Sequence, residues 1–112
     1  MVAYDVKERR NYARYALEGV KALASQRHVA YRFPNVQQQV ANLGLGLEDV
    51  CHLLEHLTPD QFKESVLYAD SPQWHDVYLV PAGPVAGLDG ELYVKFHLSP
   101  SRTWLNLCSC HL

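Results

Sequence analysis

Three runs in the C-terminal part of the chain limit what it can fold into: WHDVYLV from Trp74, ELYVKFHL from Glu91 and TWLNLCSC from Thr103. Each has the length and the β-branched and aromatic content of a strand, and PAGPVAGLDG and SPSR, rich in turn formers, separate them. Connections this short predict an antiparallel meander. The middle run alternates cleanly: Leu92, Val94, Phe96 and Leu98 point to one face, and Glu91, Tyr93, Lys95 and His97 to the other. The apolar set needs a cover. The polar set leaves Tyr93 and Lys95 about 7 Å apart on an open face, the rise of two strand residues. In the flanking runs Trp74, Asp76 and Tyr78 alternate with His75, Val77 and Leu79, while Trp104, Asn106, Cys108 and Cys110 alternate with Leu105, Leu107, Ser109 and His111. Periodicity leaves the faces of His75 and His111 open.

The cover comes from the residues that precede the strands. Good helix formers over Tyr4 to Ser25, with an approximate apolar stripe of Tyr12, Tyr15 or Ala16, Gly19 and Leu23, predict a helix or a broken pair of helices. HVAYRF, His28 to Phe33, reads as a short strand ended by Pro34. Asn35 is placed to cap a second helix, with Gln38 in the capping-box position and Gly44 and Gly46 at its end. Leu47 to His56 predicts a third, with Glu48 and Asp49 in the first turn and Leu47, Val50, Cys51, Leu54 and Leu57 on one side. Thr58-Pro59-Asp60-Gln61 combines a cap, a first-turn proline and a capping-box glutamine, and predicts a fourth helix to about Leu67. Helices first and strands after give a single α+β domain over residues 1–112, its helices packed on one face of the antiparallel sheet.

Charge is unevenly spread. Residues 1–32 hold seven Lys/Arg against three Asp/Glu, and residues 33–112 hold three against nine. The basic end is either a phosphate-facing surface or a solvated helix face, and the formal net charge of −2 is not that of a generic nucleic-acid binder. Three cysteines without CxxC spacing indicate neither a disulfide framework nor a zinc ribbon. With no apolar leader run and no membrane-length segment, a cytoplasmic location is expected.

No G-x-x-x-x-G-K-[ST], G-x-G-x-x-G or G-x-S-x-G occurs, which argues against nucleotide cofactors and serine acyl transfer. His52-Leu53-Leu54-Glu55-His56 matches H-x-x-E-H, so a metal-dependent hydrolase built on His52 and His56 is one rival reading, and Cys108-x-Cys110-His111 is a second candidate ligand set. Solvent-side histidines and small core thiols account for both without metal. Tyr93, Lys95, His75 and His111 form a set suited to phosphodiester chemistry, with lysine to hold phosphate and histidine or tyrosine to move protons.

The order and spacing of LGLGLEDVCHLLEHLTPDQF, YADSPQWHDVY and ELYVKF resemble the MqsR family of bacterial toxins, from about Val20 to the C-terminus. The resemblance implies a RelE-like α+β fold and an mRNA interferase that cuts single-stranded mRNA without metal or other cofactor. It also implies an antitoxin with a zinc-binding half and a helix-turn-helix half. Tyr93 and Lys95 stand at the family's Y-x-K, and Trp74, Asp76, Val77 and Tyr78 at its W-x-D-V-Y. His75 replaces the usual glutamine, and His111 the lysine near the end. The lysine of F-Y-K-S-M falls on Glu64 in the register preferred here, with Lys63 beside it. On this reading Lys95 stabilises the phosphorane, His75 and His111, or Glu64, share the acid and base roles, and Tyr93 orients a nucleotide. Lys63 and Arg102 are expected to bind RNA. The lost cations leave a second rival, a toxin-like module that binds antitoxin or RNA without cutting.

Overall fold

The computed structural model describes residues 5–112 and places six strands in one sheet, in the order β1-β3-β4-β5-β6-β2. The strands are β1 (Val6–Arg10), β2 (Val29–Tyr31), β3 (Phe62–Tyr68), β4 (Trp74–Pro81), β5 (Glu91–Leu98) and β6 (Leu105–His111); the helices are α1 (Leu17–Ser25), α2 (Pro34–Asn42), α3 (Leu47–Glu55) and the short α4 (Ala82–Ala86). The fold is α+β. Strands β3 to β6 form an antiparallel meander, β1 adds antiparallel to β3, and β2 adds parallel to β6. The chain thus visits both sheet edges before it lays down the centre.

The apolar face of β5 is as the alternation demands. Leu92, Val94 and Phe96 are fully buried, and they join Tyr78, Leu105, Leu107 and Cys110 in one core with Val20, Leu23, Val36, Val40, Val50 and Leu54 from the helices. In α3 the buried stripe is Val50, Cys51, Leu53 and Leu54, while Leu47 stays 41% exposed because it opens the helix at the rim. Asp49 accepts the Gly46 N–H at 2.8 Å and so satisfies one of the helix's free N-terminal donors.

Three expectations are corrected. The N-terminal helix begins only at Leu17: Val6–Arg10 is an edge strand, and Tyr4 lies outside the described residues. Its Lys, Glu and Arg side chains suit helix and exposed edge alike, and charge on an edge strand also blocks further pairing. Asn35 does not cap α2, which starts one residue earlier, with Pro34 in its first turn and Phe33 as the capping residue; Gln38 donates instead to Asn42 at 2.8 Å. The fourth helix is a single 3-10 turn, Pro59–Gln61. Its capping signal is real, since the Thr58 N–H donates to Gln61 Oε1 at 3.0 Å. Phe62 then turns extended, and Phe62–Tyr68 is hydrogen-bonded to β1 on one side and β4 on the other. Two ladders outweigh the local helix propensity of a few tenths of a kcal/mol per residue.

Candidate active site

Strand pairing decides which side chains share the face away from the helices. Because Val66 pairs with His75, Val77 with Lys95, and Tyr93 with His111, that face collects Glu64 and Tyr68 from β3, His75 from β4, Tyr93, Lys95 and His97 from β5, and Ser109 and His111 from β6. Arg9 of β1, opposite Val66, extends it to the edge.

The half-buried Lys95 donates its Nζ hydrogen to the Tyr68 hydroxyl at 2.9 Å and lies 4.8 Å from that ring's centre. Arg9 Nη1 contacts both carboxylate oxygens of Glu64, at 2.8 and 2.7 Å. Tyr93 stacks on His111 with ring centres 5.3 Å apart and planes 18° from parallel. Burial, with Tyr68 and Glu64 nearby, raises the Tyr93 phenol above its ordinary pKa, so it keeps its proton at neutral pH. His111 Nδ1 lies 2.9 Å from the Leu112 backbone oxygen. An oxygen of that kind can only accept, so Nδ1 carries the hydrogen and Nε2 keeps a free lone pair when the ring is neutral.

His75 sits deeper. It is 7% exposed, at the floor of a pocket of about 310 Å³ whose lining includes Arg32, Tyr68, Asp70, Lys95, His97 and Cys108. Burial, then His97, then Lys95, lowers its pKa to about 4, so the ring is neutral and a weak base at pH 7. A histidine held neutral in the fold and free to ionise in the unfolded chain stabilises fully above its ordinary value near 6.5, and that stability is lost as pH falls toward 4. The expected loss from His75 between pH 7.5 and 4.5 is about 2–3 kcal/mol. His75→Gln should therefore show a shallower acid limb than wild type when urea unfolding is followed at both pH values in EDTA; parallel limbs would refute the buried-neutral assignment.

The remaining residues singled out in the sequence separate. Lys63 occupies a bulge between the Phe62 and Glu64 pairings, exposed beside Arg9, Arg10 and Tyr12, which makes a cationic edge continuous with the Arg9–Glu64 pair. Arg102 does not join Lys95: it takes a left-handed φ of 61° in the turn before β6 and lies over the Tyr15 ring, at 4.8 Å. Glu55 of the H-x-x-E-H segment pairs with Arg27 at 3.1 Å, and His56 Nδ1 donates to the His52 carbonyl at 2.8 Å. Among the described residues, the one group of three ligand-type side chains is His75, His97 and Cys108, and it includes neither His52 nor His56. Cys108, Cys110 and His111 point apart, with Cys110 in the helix-side core and His111 on Tyr93.

Asp76 is scaffold. Fully buried, it accepts from the backbone N–H of Arg14 at 3.0 and 3.1 Å, from that of Tyr15 at 3.0 Å, and from Ser65 Oγ at 2.7 Å. The Tyr15 hydroxyl donates to the Trp74 carbonyl at 2.7 Å. This clamp holds the link between β1 and α1 against β4. Sequence reasoning missed Tyr68 and Cys108 as neighbours of Lys95, and Arg9 as the partner of Glu64 at the edge of the same face. For Tyr68 the available signal was the short Asp70-Ser71-Pro72 connection, which makes the run before it a hairpin partner of β4.

One face of this six-stranded α+β domain thus gathers a lysine on a tyrosine, an arginine paired with a glutamate and a tyrosine stacked on an imidazole. The chain belongs to the family described as motility quorum-sensing regulator, toxin of MqsA, whose model matches residues 12–108. That family is of toxins from toxin-antitoxin systems, and an antitoxin partner goes with it. No curated protein matches the chain. Among the described residues no helix is long and apolar enough to cross a membrane.

Proposed function

We propose that this toxin is an mRNA interferase, an endoribonuclease that cuts single-stranded mRNA in the cytoplasm with its own side chains. The observation that carries the reading is the juxtaposition of Lys95, hydrogen-bonded to Tyr68, with the stacked Tyr93–His111 pair. Single-stranded RNA offers splayed bases to aromatic side chains and phosphates to cations. His111 Nε2 removes the 2′-hydroxyl proton, the 2′-oxygen forms a bond to the adjacent phosphorus, and the bond from phosphorus to the 5′-oxygen breaks. The leaving oxygen takes a proton from the Lys95–Tyr68 pair. Lys95 stabilises the charge that develops on the phosphorane oxygens. Products are a 2′,3′-cyclic phosphate and a 5′-hydroxyl. His75, neutral on the pocket floor, shapes the site without serving as its main base.

Glu64 is tied to Arg9, and the pair positions that edge while Arg9 and Lys63 receive the flanking phosphates. The antitoxin partner is expected to carry a zinc-binding half and a helix-turn-helix half. The test is cleavage of a short single-stranded RNA in EDTA, with product ends analysed by mass. Cyclic-phosphate ends are expected; no cutting, with tight RNA or antitoxin binding retained, would instead establish the module that binds without cleaving. The Arg9→Ala/Lys63→Ala double variant should raise KM by roughly tenfold with little change in kcat, because flanking phosphate contacts bind ground and transition states alike.

A further inference from the structure

At the other end of the polar face, beyond Lys95, three donors that the proposed cleavage does not use converge from three adjacent strands: His75 from β4, His97 from β5 and Cys108 from β6. All three are buried, and a ring nitrogen of each histidine and the cysteine Sγ lie within 4.8 Å of one another. The rings of His75 and His97 meet edge to face with centres 5.0 Å apart, and Nδ1 of each is buried without a hydrogen-bond partner. Buried imidazole nitrogens normally have partners, so two orphans in contact require a reason.

Cys108 reaches this group through a defect in the ladder. Lys95 pairs with Ser109 but Phe96 with Leu107, so Cys108 is the extra residue of a β-bulge and points to the pocket, while Cys110 keeps to the helix side. Bulges commonly re-aim a side chain in this way. Its only described bond is a weak one, from Sγ to the Asn106 carbonyl at 3.6 Å.

We propose that His75, His97 and Cys108 form a zinc site with three protein ligands and a fourth position opening into the pocket beside Lys95. Two imidazoles and a thiolate are a borderline-soft donor set that suits Zn²⁺, and a site with three protein ligands keeps its last position for water or an anion. Tetrahedral zinc with Zn–N near 2.0 Å and Zn–S near 2.3 Å spaces its ligands about 3.5 Å apart, so the donors need to close by about 1 Å, within reach of small side-chain rotations. Binding displaces the Cys108 proton to solvent. The Arg32 and Lys95 cations in the lining disfavour the ion and Asp70 favours it, so an anionic fourth ligand completes the charge balance. The metal would staple β4, β5 and β6 beneath the cleavage face.

The full chain, prepared without a histidine tag and stripped with EDTA, is titrated with Co²⁺ and then Zn²⁺. The expected result is one equivalent of Co²⁺ bound with a thiolate-to-cobalt charge-transfer band and intense tetrahedral ligand-field bands, displaced by Zn²⁺, and a Tm raised by several degrees. Cys108→Ser should lose the charge-transfer band and His97→Gln should weaken binding by at least tenfold, while His52→Gln/His56→Gln should retain both. Should either site variant fold poorly, two histidine rings of the wild-type chain shifting in NMR at one equivalent of Zn²⁺ carry the same answer. Cobalt bound without a thiolate band, a band that survives Cys108→Ser, or no binding at micromolar Zn²⁺ would overturn the site. RNA cleavage in EDTA is measured separately, so failure of either proposal is read independently.

Discussion

Lys95→Ala should lower kcat/KM for single-stranded RNA by roughly 10²–10³-fold, the usual cost of removing one donor aimed at a developing oxyanion. The loss should fall mainly on kcat, because the ammonium is most needed when charge accumulates on the phosphorane. The fold should survive: Lys95 is half-buried with Val94 and Phe96 on either side carrying the core contacts, and its described hydrogen bond is to Tyr68 alone. A Tm within a few degrees of wild type separates chemistry from folding. Lys95→Arg keeps the charge but replaces a compact ammonium by a planar fork, and partial rescue is expected. Undiminished cutting by Lys95→Ala would sink the assignment of the site.

Asp76→Ala should be the most damaging single change to stability, at about 3–4 kcal/mol, enough to lower Tm by roughly 15 °C or more. Its carboxylate receives two backbone N–H groups and one hydroxyl in a place water does not reach, and truncation leaves all three donors unsatisfied. Burial lifts the Asp76 carboxyl above the ordinary carboxylate range, and the bonds from Ser65, Arg14 and Tyr15 work against that lift. Asp76→Asn should cost less than alanine yet remain clearly destabilising, since both oxygens accept and an amide NH₂ would face donors. Urea unfolding of the three proteins at pH 7 gives the order. An Asp76→Ala chain as stable as wild type would show that the clamp is incidental.

Part of this arrangement was legible before any coordinates. The alternation of Glu91 to Leu98 placed Tyr93 and Lys95 together, and WHDVYLV was recognisable as a strand, whereas the task of its aspartate was not. The Thr58–Gln61 cap was also read correctly as a local object, but it ends after one turn. Arg9 and Tyr68 were hidden by the same error twice. VKERR and FKESVLY contain good helix formers, and nothing within either segment shows that the other is its pairing partner. Cys108 was hidden differently: strict alternation puts it with Cys110, and a bulge is a property of two strands in register, not of one run of residues.

By itself the sequence determined what short-range physics controls: the strand period, the proline and glycine punctuation, the apolar stripe of α3, and the residue types available for phosphate chemistry. The stripe expected around Gly19 moved to Val20, Leu23 and Ala24 once α1 began at Leu17. Tertiary structure alone decided which charges and rings meet. Pairings such as Arg9 with Glu64, 55 residues apart, Tyr68 with Lys95, and His75 with His97 and Cys108 depend on strand order and register. Register is set by the summed burial of a whole sheet face against the helices, a cooperative quantity that no local window contains.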